Sequence, residues 1–225
     1  MCPLFAFSQG NEECLGCHSE IGFSVQHGLN VKNLYVDENQ LKNSVHKDLE
    51  CINCHKELEN TDYPHKAPLS PVFCGECHTE EEKLHSESLH GRAIKRGDPL
   101  APNCKDCHGS HFVLSSRDLK SPTSPLKIPF LCGKCHREGA PVQLQREIHQ
   151  DRILENYTES IHGEGLLKKG LVVSASCTSC HTAHHILPHT DPKSSIARKN
   201  IAKTCAKCHA EIELVHQKII KGELW

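Results

Sequence analysis

Residues 104–111, CKDCHGSH, and residues 177–184, CTSCHTAH, say the same thing twice. Each has two cysteines three positions apart, a histidine directly after the second, and another histidine three residues on. The first five letters recur seven times, at Cys14 to His18, Cys51 to His55, Cys74 to His78, Cys104 to His108, Cys132 to His136, Cys177 to His181 and Cys205 to His209, and take 14 of the 15 cysteines. Cys-x-x-Cys-His is the attachment signature of c-type haem, in which two thiols become thioethers and the adjacent imidazole is an axial iron ligand. Thiols at this spacing lie on nearly one side of a helical turn, so both reach one porphyrin edge while the next residue points its imidazole at the metal.

The expectation is seven covalently attached haem c groups. The attachment residues are Cys14, Cys17, Cys51, Cys54, Cys74, Cys77, Cys104, Cys107, Cys132, Cys135, Cys177, Cys180, Cys205 and Cys208, and the proximal iron ligands are His18, His55, His78, His108, His136, His181 and His209. Zinc ribbons and knuckles also use Cys-x-x-Cys, but do not require histidine directly after the second cysteine. A disulfide scaffold has no use for close-spaced pairs each followed by histidine.

Longer elements repeat around the motifs. Ser88-Leu89-His90-Gly91, Cys104 to His108, His111 and Cys132 to His136 recur as Ser160-Ile161-His162-Gly163, Cys177 to His181, His184 and Cys205 to His209. The offset is 72 residues at the first histidine and 73 afterwards, so one residue is inserted between. A shorter copy, Ser44-Val45-His46, Cys51 to His55, His65 and Cys74 to His78, precedes them. The expected organisation is a signal-peptide remnant over 1–8, a single-haem segment over 9–43, di-haem modules over 44–87 and 88–141, and a linking helix with a third module over 142–225. Residues 1–8 (MCPLFAFS) are apolar, and Ala6-Phe7-Ser8 fits the small-x-small rule for cleavage before Gln9. They read as the end of an export signal.

Composition agrees with a core that the polypeptide does not supply. The apolar share is 37% with cysteine and about 31% once the motif cysteines are set aside, low for a globular domain. Something else must provide buried surface, and seven porphyrins would. The fold class expected is mainly α with much irregular structure, the polypeptide wrapped around a haem stack. Helices are expected around Glu80 to His90, Val142 to His162 and Ala206 to Gly222, loops over Ser121 to Pro129 and Leu187 to Ser195, and a short hairpin arm within Leu29 to Val36. A net charge of -2 leaves no basic footprint for nucleic acid, and no apolar run approaches a transmembrane span.

There are 19 histidines and one methionine, Met1. A His/Met iron is therefore unavailable, and any six-coordinate haem is bis-histidine, with a low potential. One candidate follows each proximal histidine or precedes the next motif: His46, His65, His90, His111, His162, His184 and His216. A histidine three residues after its proximal partner, as His111 is to His108, shares its helix face and must serve a neighbouring haem. His27, His85, His149, His185 and His189 read as solvated or propionate-bonding imidazoles. His149 and His162 on one long helix could also serve two haems, and His27 could replace His216 on the first haem.

From about Glu12 onward the chain resembles the multihaem c-type cytochromes of the doubled Cys-x-x-Cys-His class, in which Ser-x-His-Gly before a haem site and Cys-His-x-x-His after it recur. The resemblance implies electron transport in a respiratory chain outside the cytoplasm, in the periplasm or extracellularly. The partners implied are redox proteins, among them a membrane quinol-oxidising complex, and stacking of terminal haems would allow an oligomer or filament. The function expected is outer-sphere electron transfer through bis-histidine haems, with no catalytic residue. The alternatives are a multihaem reductase of nitrite, hydroxylamine or sulfite, or a haem-wire subunit of a larger assembly. Nitrite-reductase relatives commonly put lysine where the motif histidine stands at the active haem, whereas all seven motifs here end in histidine.

Overall fold

The computed structural model describes residues 10–66, 68–146, 150–211 and 218, with His27 described in its backbone alone. It is mainly helical, 41% helix and 4% strand, so irregular segments make up more than half of the fold. The chain divides into two compact units, Met1–Cys77 with Gly109–Leu114, and His78–His108 with Ser115–Trp225.

In the first unit the helix Asn11–His18 carries the first motif and the helix Cys51–Cys54 most of the second. The side chain of Asn11 links the two: its Oδ1 accepts from the Cys51 amide at 2.7 Å and its Nδ2 donates to the Leu49 carbonyl at 3.2 Å. A hairpin of β1, Ser24–His27, and β2, Asn30–Asn33, follows the first motif, paired Ser24 with Asn33 through His27 with Asn30. It therefore turns at Leu29, earlier than the sequence suggested. The helix Glu38–Lys42 starts on Asp37, whose carboxylate accepts from the Asn39 and Gln40 amides. Ser44 then fastens the Gly109–Leu114 strip into this unit, its Oγ donating to the Val113 carbonyl at 3.1 Å and accepting from the Val113 amide at 3.2 Å.

The second unit shows the internal repeat in three dimensions. The helices Cys104–His108 and Ile128–Gly133 recur as Cys177–His181 and Ile201–Ala206 at the 73-residue offset. Before each later helix runs a chain of turns three residues apart, Asp118, Ser121, Ser124 and Lys127 matching Asp191, Ser194, Ala197 and Asn200. The inserted residue has a visible home. The helix Leu89–Lys95 corresponds to Ile161–Gly163 continued by a π-helical turn, Glu164–Lys168, and a one-residue insertion in an α-helix is accommodated as a π-bulge.

Two of the long helices expected from sequence are broken. Glu80 to His90 is two helices, Thr79–Glu87 and Leu89–Lys95, parted at Ser88, whose extended ψ of 170° no helix admits. Val142 to His162 is likewise the pieces Pro141–Gln145, Ile153–Glu159 and Ile161–Gly163; His149 lies outside the described residues. Of Ala206 to Gly222, residues 207–211 are turn or irregular after the helix Ile201–Ala206, Lys218 is helical, and the rest lies outside the described residues. The loop over Leu187 to Ser195 is irregular as expected, whereas Ser121 to Pro129 runs into the helix Ile128–Gly133 with Pro129 in its first turn.

Ser88 and Ser160 explain the Ser-x-His-Gly element. Each is an N-cap whose Oγ accepts from the glycine amide at 3.1 Å and donates back to the preceding helix, Ser88 to the His85 carbonyl and Ser160 to the Tyr157 carbonyl, both at 2.6 Å. The glycine permits the two helices to touch: a Cβ on Gly91 would lie 2.0 Å from the His85 carbonyl oxygen, and one on Gly163 would lie 2.0 Å from that of Tyr157. The element is a hinge that aims the histidine between cap and glycine. Gly91→Ala is expected to destabilise by about 1–3 kcal/mol and Ser88→Ala by about 1 kcal/mol, read as urea midpoints of the holoprotein; equal midpoints for Gly91→Ala and wild type would contradict the close helix contact.

The protein core is small. Among the described residues the buried apolar side chains are Leu58, Leu114, Ile128, Leu166, Leu187 and three alanines, while Ile21, Leu29, Ile161 and Val173 are more than four-fifths exposed.

Candidate metal centres

Among the described residues, at least ten histidine rings face one another, in the five pairs that follow. In the first unit the ring centroids of His18 and His65 are 6.1 Å apart and those of His55 and His111 6.3 Å. In the second unit the separations are 6.1 Å for His90 and His136, 5.9 Å for His108 and His184, and 6.0 Å for His162 and His209. Every pair joins one motif histidine to one histidine outside the motifs. His46, His78 and His181 are outside these five pairs, and His216 lies outside the described residues.

The separation has a chemical meaning. A metal–imidazole bond of about 2.0–2.1 Å and about 1.1 Å from ring nitrogen to ring centre put two trans imidazoles on one metal about 6.3 Å apart, centroid to centroid. Face-to-face contact would bring the parallel planes of His18 and His65, only 6° apart, to about 3.5–4 Å. The other interplanar angles range from 29° to 51°, which trans ligands tolerate because rotation about the metal–nitrogen axis leaves both bonds intact.

The surroundings prepare the rings for a metal. His18 Nδ1 lies 2.8 Å from the Leu34 carbonyl and His65 Nδ1 lies 3.0 Å from that of Lys66. A proton held there leaves Nε2 as the free donor, the usual second-shell arrangement for a ligating histidine. Phe23 packs edge-on against His18 at 5.3 Å. Burial, followed by the facing imidazole, lowers the pKa of His55, His90 and His108, and that of His90 reaches about 4. Burial also lowers His111, His136 and His181. Neutral imidazole is the form that binds a metal.

The cysteines of successive motifs meet. The thiols of Cys14 and Cys51 are hydrogen-bonded, and burial is the main reason that Cys51 is pushed up to about 11. Cys132 and Cys177 share a hydrogen bond that raises the first and lowers the second. Cys54 feels Cys74 and Cys77, Cys107 feels Cys135, and Cys180 feels Cys205 and Cys208. All fourteen motif cysteines are free thiols, so none is spent in a disulfide. An ion pair of Lys56 with Glu76 braces the second motif against the third.

These features fit haem better than zinc. A structural zinc takes four protein ligands, whereas among the described residues no group of three or more histidine, cysteine or carboxylate donors converges. Two imidazoles at this separation could serve one metal, and a tetradentate macrocycle could take its remaining positions, with the two thiols beside the motif histidine to hold its edge.

The pairing follows a rule that the sequence order did not disclose. A histidine following the first motif of a module faces the first motif of the preceding segment: His65 faces His18, His111 faces His55, and His184 faces His108. A Ser-x-His-Gly histidine faces the second motif of its own module: His90 faces His136 and His162 faces His209. His18 therefore faces His65, where His216 or His27 had been the sequence expectation. The shared helix face proposed for His108 and His111 is also absent. The helix ends at His108, and Gly109, at φ +78°, reverses the chain; Thr182, at φ 66°, does the same after His181. The carbonyl partners of His18 and His65 carry no sequence signal.

Comparison of the chain with protein-family models, curated proteins and solved structures returned no match. Among the described residues no helix is long and apolar enough to cross a membrane.

Proposed function

We propose that this protein is a heptahaem c-type cytochrome that relays electrons between redox partners in an extracytoplasmic respiratory chain. The observation that carries this reading is the recurrence of one geometry, five pairs of a motif histidine with a non-motif histidine at 5.9–6.3 Å. Haem c supplies a metal that cycles between ferric and ferrous and so carries one electron without a substrate pocket. The cysteine pairs would anchor its edge. The paired histidines would close both axial positions, which favours a relay over a reductase, because reduction of nitrite or hydroxylamine needs an iron with a free position.

The chain's own residues do the positioning. Leu34 and Lys66 carbonyls hold the His18 and His65 rings by Nδ1. Ser88 and Gly91 aim His90, and Ser160 and Gly163 aim His162. Within the first unit the thiols of motifs one to three neighbour one another, and within the second unit those of motifs four to seven do, which would set attachment points side by side as fast transfer demands.

Intact mass tests the reading directly. Holoprotein matured with a cytochrome c assembly system is expected to exceed its polypeptide mass by seven haems, with no bound zinc. An increment of five or fewer would overturn it.

A further inference from the structure

Arg92 sits in the helix Leu89–Lys95, two residues after His90. Its Nε and Nη2 are shut away from solvent and, among the described residues, meet no acceptor. A guanidinium cannot shed its charge, and its two N–H groups form a fork that matches the two oxygens of a carboxylate. A buried, unmatched fork is costly, which implies a ligand. The repeat does not demand an arginine, since the corresponding residue of the next module is Glu164, which pairs with Lys168 at 2.7 Å.

Arg92 also lines a cleft of about 350 Å³ with Lys95, Lys193 and His185. The two acidic side chains of the cleft already have partners: Glu87 lies 3.6 Å from His185 Nε2, and Asp191 accepts from the Lys193 amide at 2.8 Å. Three fixed positive charges against two engaged carboxylates leave room for one more anion. Two of its lining residues stand close in the sequence to candidate metal ligands. Arg92 is two residues from His90, which faces His136, and His185 is next to His184, which faces His108.

We propose that Arg92 is an oxyanion clamp whose ligand is a propionate carboxylate of the haem held by His90 and His136 or of the haem held by His108 and His184. This rests on the haem reading above. A free oxyanion, nitrite or sulfate, has the same chemistry and is the other source to distinguish.

The test uses holoprotein of wild type, Arg92→Lys and Arg92→Ala. Intact mass comes first: a wild type with five or fewer haems sinks the cytochrome reading and the clamp with it, whereas the later measurements bear on the clamp alone. Potentiometric titration of a seven-haem wild type and of both variants follows. The expected result is that one or two midpoints fall in Arg92→Ala, because a positive charge that favoured the electron is gone, while the others stay. Arg92→Lys keeps the charge and loses the fork; it is expected to hold the midpoints nearer to wild type but to shift a propionate bending band in the resonance Raman spectrum. Added nitrite or sulfate is expected to leave the wild-type midpoints unmoved. A saturable shift with either anion in wild type, lost in Arg92→Ala, would overturn the propionate and assign the fork to a free oxyanion. Unchanged midpoints in Arg92→Ala together with an unchanged Raman band in Arg92→Lys would overturn the clamp altogether.

Discussion

Expressed without a cytochrome c maturation system, the haem-free chain is expected to show far less than 41% helix by circular dichroism and no cooperative thermal transition. The described residues bury five large aliphatic side chains and leave Ile21, Leu29, Ile161 and Val173 largely in water. Folding must offset roughly 1–2 kcal/mol of backbone entropy per ordered residue, and burial returns only about 25 cal/mol per Å² of apolar surface. A chain of this size with so thin a core does not close that gap. The helices that carry the motifs are too short to stand alone: Cys51–Cys54, Cys104–His108 and Cys177–His181 are four or five residues long, where isolated helices need about 12–15 to be even marginal. Covalent porphyrins, each clamped by two cysteines and two histidines, would supply both buried surface and cross-links. A sharp melt of the haem-free chain with native-like helix would refute the argument.

The second large effect concerns one histidine. His184→Ala is expected to convert one iron of seven from low-spin to high-spin and let it bind carbon monoxide, and that iron is the one attached at Cys104 to His108. His184 stands three residues from His181, and the sequence sends it to a neighbouring haem without saying which; the ring pair assigns it to the fourth motif. A second variant separates the two. With Cys104 and Cys107 both replaced by alanine, the fourth haem is absent and His184→Ala should add no high-spin signal. Persistence of that signal in the triple variant would show that His184 serves another iron. Strong carbon monoxide binding and turnover of nitrite or hydroxylamine by wild type would instead promote the reductase reading.

Much of this protein was legible because its signals are local. Two cysteines and a histidine within five residues make a signal that can be read without the fold, and it recurs seven times. The thin core was equally legible, since composition does not depend on how the chain is arranged. So was the one-residue insertion after His162, although only the structure shows it wound into the π-helical turn Glu164–Lys168. Helix lengths were misjudged where polar periodicity continued across Ser88 and Ser160. Both serines read as ordinary helical residues in a pattern; both are caps, bonded back to the carbonyl of the helix before them.

The sequence by itself determined that the motif occurs seven times, that Met1 is the one methionine, and that twelve histidines stand outside the motifs, seven of them placed to complete a bis-histidine set. Only the tertiary structure decided who faces whom. His65 with His18, His111 with His55 and His184 with His108 are separated by 47, 56 and 76 positions, and no local rule carries across such distances. The pairing depends on the left-handed turns at Gly109 and Thr182, on the serine and glycine contacts that cross the helices at Gly91 and Gly163, and on the backbone carbonyls of Leu34 and Lys66. Axial ligation is a matter of direction as well as composition. A side chain's direction is fixed by the backbone beneath it, and the backbone is fixed by contacts from elsewhere in the chain.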